Sequence, residues 1–200
     1  MNSRIEQRIR ICLLVLSLGL GGAAEADVDA PQPLDVPRLM ELMAQVESRQ
    51  DRFTETKTLT VLTEPMVLTG TLSYTRPDRI EKHVLTPYEE HLVVQGDQLT
   101  LTNKDGTKRV RVKSHPLIWS FVEAIRASLA GDAATLQRFY DVRIDGSRQG
   151  WTLTLRPFDE KAAARLTSIA LHGKDSRLTS VEIIETGGDQ SVMTIHEPAS

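Results

Sequence analysis

Gly70-Thr71-Leu72-Ser73-Tyr74-Thr75-Arg76-Pro77, followed by Thr86-Pro87 and by Leu92-Val93-Val94-Gln95-Gly96-Asp97, is the stretch whose reading decides the fold. Apolar and polar residues alternate within it, and Pro and Gly punctuate it, so it reads as two or three adjacent antiparallel strands. The same period of two extends to both sides. From Phe53 onward, Thr54, Thr56, Thr58 and Thr60 alternate with Glu55, Lys57, Leu59 and Val61. The threonines are β-formers and read as a solvated face. Further strands are expected around Leu68, Leu72 and Tyr74, over 80–85 and over 90–95. Leu99 and Leu101 then lead into an Asn103-Lys104-Asp105-Gly106 hairpin turn, with Val110 and Val112 beyond it. Residues 54–113 are thus a run of about six strands with tight links.

The period changes to that of a helix on either side of this run. Pro37 suits the first turn of a helix over 38–46, with Leu39, Leu42, Met43 and Val46 as its apolar stripe. Ser114 is the expected N-cap and Pro116 the first-turn residue of a second helix. Its apolar face is Leu117, Ile118, Phe121, Val122, Ile125 and Leu129, and Gly131 ends it. Asp132 caps a shorter helix through Arg138. Strands resume at Tyr140, turn at Asp145-Gly146 and continue through Trp151-Thr152-Leu153-Thr154-Leu155-Arg156-Pro157. A polar, alanine-bearing link over 159–165 follows, and three closing strands are expected over 166–171, 178–184 and 191–195. The expected fold class is α+β. A single antiparallel sheet of about 10 or 11 strands has one helix before it and one or two interrupting it.

The N-terminus has the form of an export signal. Arg4, Arg8 and Arg10 precede a short apolar core over 11–20, and Ala24-Glu25-Ala26 offers a small-residue cleavage site. The core is short for a bilayer span. The expected organisation is a cleavable signal over 1–26, a proline-bearing linker over 27–36 and one folded domain over 37–200. Cleavage removes three basic and two acidic residues and leaves 21 basic against 25 acidic. That mild, evenly spread acidity excludes nucleic acid as the expected partner. The single cysteine, Cys12, departs with the signal, so neither a thiol nucleophile nor a disulfide is expected in the remainder.

The sequence offers little to catalysis. His83, His91, His115, His172 and His196 show no metal-ligand spacing, and no metal or cofactor is expected. No nucleophile elbow, P-loop or dinucleotide fingerprint occurs. Glu89-Glu90 and Asp159-Glu160 read as solvated acids. What stands out instead is a wide sheet that must bury one face, with an apolar helix in mid-chain to cover it. Periodicity leaves open whether that interface is a packed core or a lidded cavity.

In the order of its elements the chain resembles the LolA family of periplasmic lipoprotein carriers. The resemblance rests on G-x-L-x-x-x-R-P at residues 70–77, the Thr86-Pro87 pair, L-V-V-x-G-D-x-L at 92–99, the strand end at Leu155-Arg156-Pro157 and the closing strands over 166–195. It implies a sheet curved into an unclosed half-barrel whose concave face is covered by helices acting as a lid. It implies a non-enzymatic carrier in the periplasm of a Gram-negative bacterium, a monomer that binds the acyl chains of a lipoprotein or other lipid or glycolipid. An inner-membrane transporter would be its donor, and an outer-membrane acceptor would receive the cargo. Leu117, Ile118, Phe121, Val122, Ile125 and Leu129 would form the lid face, and Leu68, Leu72, Tyr74 and Ile80 the opposing wall. The Arg before Pro, Arg76 here, would hold the lid closed. Two departures are visible: aromatic content is only 4%, and Arg79-Ile80-Glu81-Lys82 stands where the family shows an aromatic pair, which leaves lipids other than lipoproteins open as cargo. The alternatives are a periplasmic sensor module on the same fold, as in RseB-like proteins, and a hydrolase.

Overall fold

The computed structural model describes residues 33–197. The expected signal and most of the expected linker lie outside them. Helix α1 (Val36–Met43) comes first, with Asp35 as N-cap: its carboxylate accepts from the Arg38 amide at 2.9 Å. The helix ends earlier than expected, so Val46 lies beyond it, and Met40 joins Leu39 and Met43 among its buried residues.

Six strands follow as a meander: β1 (Ser48–Thr58), β2 (Met66–Thr75), β3 (Arg79–Thr86), β4 (Glu90–Gln95), β5 (Gln98–Asn103) and β6 (Gly106–Arg111). Phe53 lies in the middle of β1 rather than opening it, and Leu59 and Val61 fall past its end. A 3-10 turn (Val112–Ser114) leads to α2 (Pro116–Ala130) and α3 (Ala133–Phe139). The residue preceding α2 is His115, without a side-chain cap, so Ser114 does not cap it. Asp132 does cap α3, through the Thr135 amide. Five more strands complete the chain: β7 (Tyr140–Ser147), β8 (Gly150–Pro157), β9 (Leu166–Lys174), β10 (Arg177–Glu185) and β11 (Gln190–His196). The β7–β8 turn falls at Arg148-Gln149 rather than Asp145-Gly146, which pair within the ladder. The link before β9 holds a single helical turn, α4 (Glu160–Ala163), capped by Asp159.

All eleven strands form one antiparallel sheet in the order β6-β5-β4-β3-β2-β1-β11-β10-β9-β8-β7, with β6 and β7 as free edges. The segment between β6 and β7 must therefore run from one edge of the sheet to the other. Ten strand spacings of about 4.8 Å would separate those edges by roughly 48 Å in a flat sheet. Helix α2, at about 1.5 Å per residue, covers only about 22 Å. Helix α2 therefore spans part of that width, α3 and the short links supply the rest, and α2 packs against both wings of the sheet. No helix among the described residues is long and apolar enough to cross a membrane.

Candidate ligand-binding site

The register shows which side chains share the inner face. One row runs Tyr74, Ile80, Val94, Leu99 and Val110 across β2 to β6; another runs Ile195, Phe53, Gly70 and Val84 across β11 to β3. Gly70 is dictated by closeness. A Cβ there would collide with the His83 carbonyl and stand 2.9 Å from the Phe53 ring, so only glycine lets that ring lie against β2.

Apolar residues on this face fall into three clusters. The largest joins β7 to β10 with α1, α2 and α3: Leu39, Met40, Met43, Leu153, Ile169 and Leu171 are buried in it, with Phe121, Ile125 and Leu129 packed against it. A second joins Val94 and Val112 to Val122, with Ile80, Ile118 and Trp119 alongside. The third, Phe53, Leu68 and Val84 flanked by Met66, Leu72 and Met193, contains no helical residue. Helix α2 therefore divides its apolar face between the two wings of the sheet. Of the ten residues expected to meet, Ile80 lies with Ile118 and Val122. Phe121, Ile125 and Leu129 face β7 to β10 instead, and Leu68 and Leu72 lie on the central strands, in the cluster that no helical residue joins. Leu117 belongs to α2, but its side chain lies outside what the structure describes. Trp151, Leu153, Leu171 and Leu178, which face the helices from the far wing, were not among the expected wall residues. Their alternation along β8 to β10 was visible in the sequence, but not the face on which they lie.

The space between α1, α2 and the far wing is nearly full. An apolar gap bounded by Met40, Met43, Ile125, Leu129, Leu153 and Leu171 measures about 10 Å³, the room of one water molecule at most. A larger hollow of about 410 Å³ lies between the β2–β3 turn, the β4–β5 turn and α2, and its lining is mixed: the charged Asp78, Asp97, Lys113, Glu123, Arg126 and Asp132 alternate with Pro77, Ala127 and Ala130. It contains none of the apolar wall.

A few polar contacts tie α2 down. Arg126 donates from Nη1 to the Gly96 carbonyl at 2.8 Å and pairs with the buried Glu123. The Tyr140 hydroxyl donates to the Ser120 carbonyl; burial pushes this phenol up to about 12. Arg76 reaches both covering helices. Its Nη2 donates to the carbonyls of Ala44, just past α1, and Ala130, the last residue of α2, the latter at 3.4 Å. Its Nε donates to the Val46 carbonyl at 3.4 Å. A cation at the meeting of two helix C-termini is favoured by their dipoles.

The central strands hold a group that alternation had marked only as the partner of the threonine face. Glu55, 3% exposed, pairs with Lys82, accepts from the Ser191 hydroxyl at 2.6 Å and lies 3.8 Å from Lys57. The Lys82 ammonium in turn stands 5.1 Å from the Phe53 ring centroid and roofs the third cluster. Burial alone would raise the Glu55 carboxyl; the Lys82 ammonium, hydrogen bonds from Lys82 and Ser191, and Lys57 together hold it below the ordinary value. A carboxylate lowered on folding contributes stability above its unfolded pKa and loses it as pH falls through the folded one. Glu55→Gln should therefore cost about 2–3 kcal/mol at pH 7, because Lys82 is left unpaired but not fully buried. The variant should also lose stability less steeply than wild type below about pH 5. Urea melts from pH 7 to pH 3 read both effects, and parallel pH profiles would refute the second.

His83 and His91 meet across β3 and β4 with ring centroids 5.1 Å apart. No group of three metal-ligating side chains forms among the described residues.

Residues 28–198 match the family described as outer membrane lipoprotein carrier protein LolA-like. The chain belongs to this LolA-like family. It is a divergent member. A protein of Leptothrix cholodnii named outer-membrane lipoprotein carrier protein is 28% identical over 181 residues, covering 90% of this chain and 78% of that one. One of the same name from Methylibium petroleiphilum is 27% identical over 188 residues, covering 92% and 84%. Among solved structures, a LolA superfamily protein from Nitrosomonas europaea aligns over 84% of this chain and 95% of its own, at 9% identity and a TM-score of 0.45. MucB in the Pseudomonas aeruginosa MucA/MucB complex aligns over 84% and 59%, at 15% identity and 0.43.

Proposed function

We propose that this LolA-like protein is a periplasmic carrier that takes an acyl chain of a lipoprotein or another lipid between α2 and the inner face of the sheet. Residues 1–26 act as its export signal, 27–36 as a linker and 37–200 as the carrier domain. The observation that carries the reading is an apolar wall crossed by one helix, which is pinned through a handful of polar contacts and closed down to about 10 Å³. Holding a sixteen-carbon chain out of water requires apolar surface equivalent to about 12 kcal/mol, at ~0.8 kcal/mol per methylene. The closed space is far too small for such a chain. Uptake therefore requires α2 and the end of α1 to swing aside, exposing Phe121, Ile125 and Leu129 together with Leu153 and Leu171. When the chain leaves, the helices cover the wall again. The departures at 79–82 leave open a lipid other than a lipoprotein as the cargo, and the donor and acceptor remain membrane partners of matching chemistry.

Protein isolated from a bacterial periplasm should carry an acyl-bearing molecule detectable by native mass spectrometry. After delipidation it should bind a hydrophobic dye that the lipid displaces. A clean apo mass together with no dye binding would overturn the carrier reading.

A further inference from the structure

One polar atom on the inner face has no role in closing the lid. Tyr74 lies near the end of β2, two residues after Leu72 and two before Arg76, and opposite Ile80 on β3. The residue is 4% exposed, and its hydroxyl is the single buried side-chain nitrogen or oxygen without a hydrogen-bond partner among the described residues. A buried hydroxyl normally finds a partner, because leaving it bare forfeits its hydration. Tyr140, the other buried tyrosine of the inner side, has one in the Ser120 carbonyl. None of the groups near Tyr74 bonds to its hydroxyl: the Glu47 carboxylate, 81% exposed, faces Arg76 at 3.9 Å. Arg76 spends its guanidinium on Ala44, Val46 and Ala130, and Asp78 accepts from the Gly96 amide at 2.9 Å. Burial raises the Tyr74 phenol, so it stays neutral and able to donate.

We propose that the Tyr74 hydroxyl is the specificity contact for the carbonyl of an ester- or amide-linked acyl chain, donating to that oxygen once the helices have moved aside. This rests on the carrier reading and narrows its ligand class: an apolar chain with an acceptor at its head, in preference to bare hydrocarbon. The placement fits such a molecule. Tyr74 lies two residues from Arg76, whose guanidinium reaches the ends of α1 and α2, and the half-buried Leu72 and Ile80 flank it on β2 and β3. The carbonyl end of the chain would sit near the rim, and its tail would run inward.

The test compares 1-palmitoylglycerol with 1-O-hexadecylglycerol, an ether of nearly the same shape that lacks the carbonyl. Both compete for the same hydrophobic dye on delipidated wild type and on Tyr74→Phe. One hydrogen bond predicts a preference of about 3–10-fold for the ester in wild type. Tyr74→Phe should lose that preference through weaker ester binding, with ether affinity unchanged. Equal affinities in wild type, or a preference that survives in the variant, would overturn the inference while leaving the carrier reading intact. Failure of both lipids to displace the dye from wild type would overturn the two together. The wild-type comparison needs no variant, so a folding defect in Tyr74→Phe would not blunt the test.

Discussion

Arg76→Leu should unpin the lid. The guanidinium makes three hydrogen bonds to main-chain carbonyls around the ends of α1 and α2. Bonds from a charged donor contribute about 1.5–3 kcal/mol each when short and shielded. Two of these are long, at 3.4 Å, and the side chain is 28% exposed, so the total for closure is nearer 2–3 kcal/mol, with allowance for screening. That shifts the closed-to-open ratio by roughly 30–150-fold. Trp151, 3% exposed beneath the helices, should become accessible to acrylamide, and a hydrophobic dye should enter faster. Bound lipid should leave more slowly, because the closed state no longer competes as well for the wall. Quenching and release rates identical to wild type would remove Arg76 from the mechanism. Arg76→Lys should recover only part of the effect, since a single ammonium lacks the planar fork that spans several carbonyls.

Gly131→Val should be the most damaging single change at the same junction. Gly131 ends α2 with φ of 74°, a left-handed conformation that costs a branched side chain about 1–2 kcal/mol or more. Space is a second obstacle. A Cβ there would collide with the Met40 carbonyl and stand 2.8 Å from Cβ of Ala44. The two effects together should cost about 3–4 kcal/mol. With a urea slope near 2 kcal/mol/M, the midpoint would fall by about 1.5–2 M. Gly131→Asn separates the causes. Asparagine tolerates the backbone conformation, so if conformation were the whole cost it would restore most of the stability. Because the Cβ has no room, we expect it to restore less than half. An unchanged midpoint for Val would show that α1 and α2 do not meet as tightly as described.

Arg76 and Gly131 meet at a junction that the sequence marks only in part. The G-x-L-x-x-x-R-P stretch announced a strand ending at Arg76, and the strand ends there at Thr75. Gly131 and Asp132 were legible as a helix stop and the next helix start, because one acts through its own backbone conformation and the other through a carboxylate that reaches only three residues on. The apolar spacing of α2 was legible as well. Its division between two wings of the sheet was not, since a helical stripe names no partner. The one-turn helix at Glu160–Ala163 was missed because so short a segment has no periodicity to read.

Glu55 shows the limit more sharply. Alternation placed it opposite the threonines, and a charged residue opposite a polar one gives no sign of which side is buried. The structure puts it inside because Lys82, two strands away, supplies its countercharge.

Local sequence settled much of what depends on neighbours along the chain: the period of two, the period of three to four and most of the turns, though not the β7–β8 turn or the cap of α2, and hence one broad antiparallel sheet with a helical interruption. Burial of a given face, the filling of the gap to about 10 Å³, and the reach of Arg76 to a carbonyl 54 positions away belong to the folded chain alone. The reason is physical. Alternation is unchanged when a strand is turned over, and the volume left in a hollow is the sum of side chains contributed from distant parts of the chain, which no short window contains.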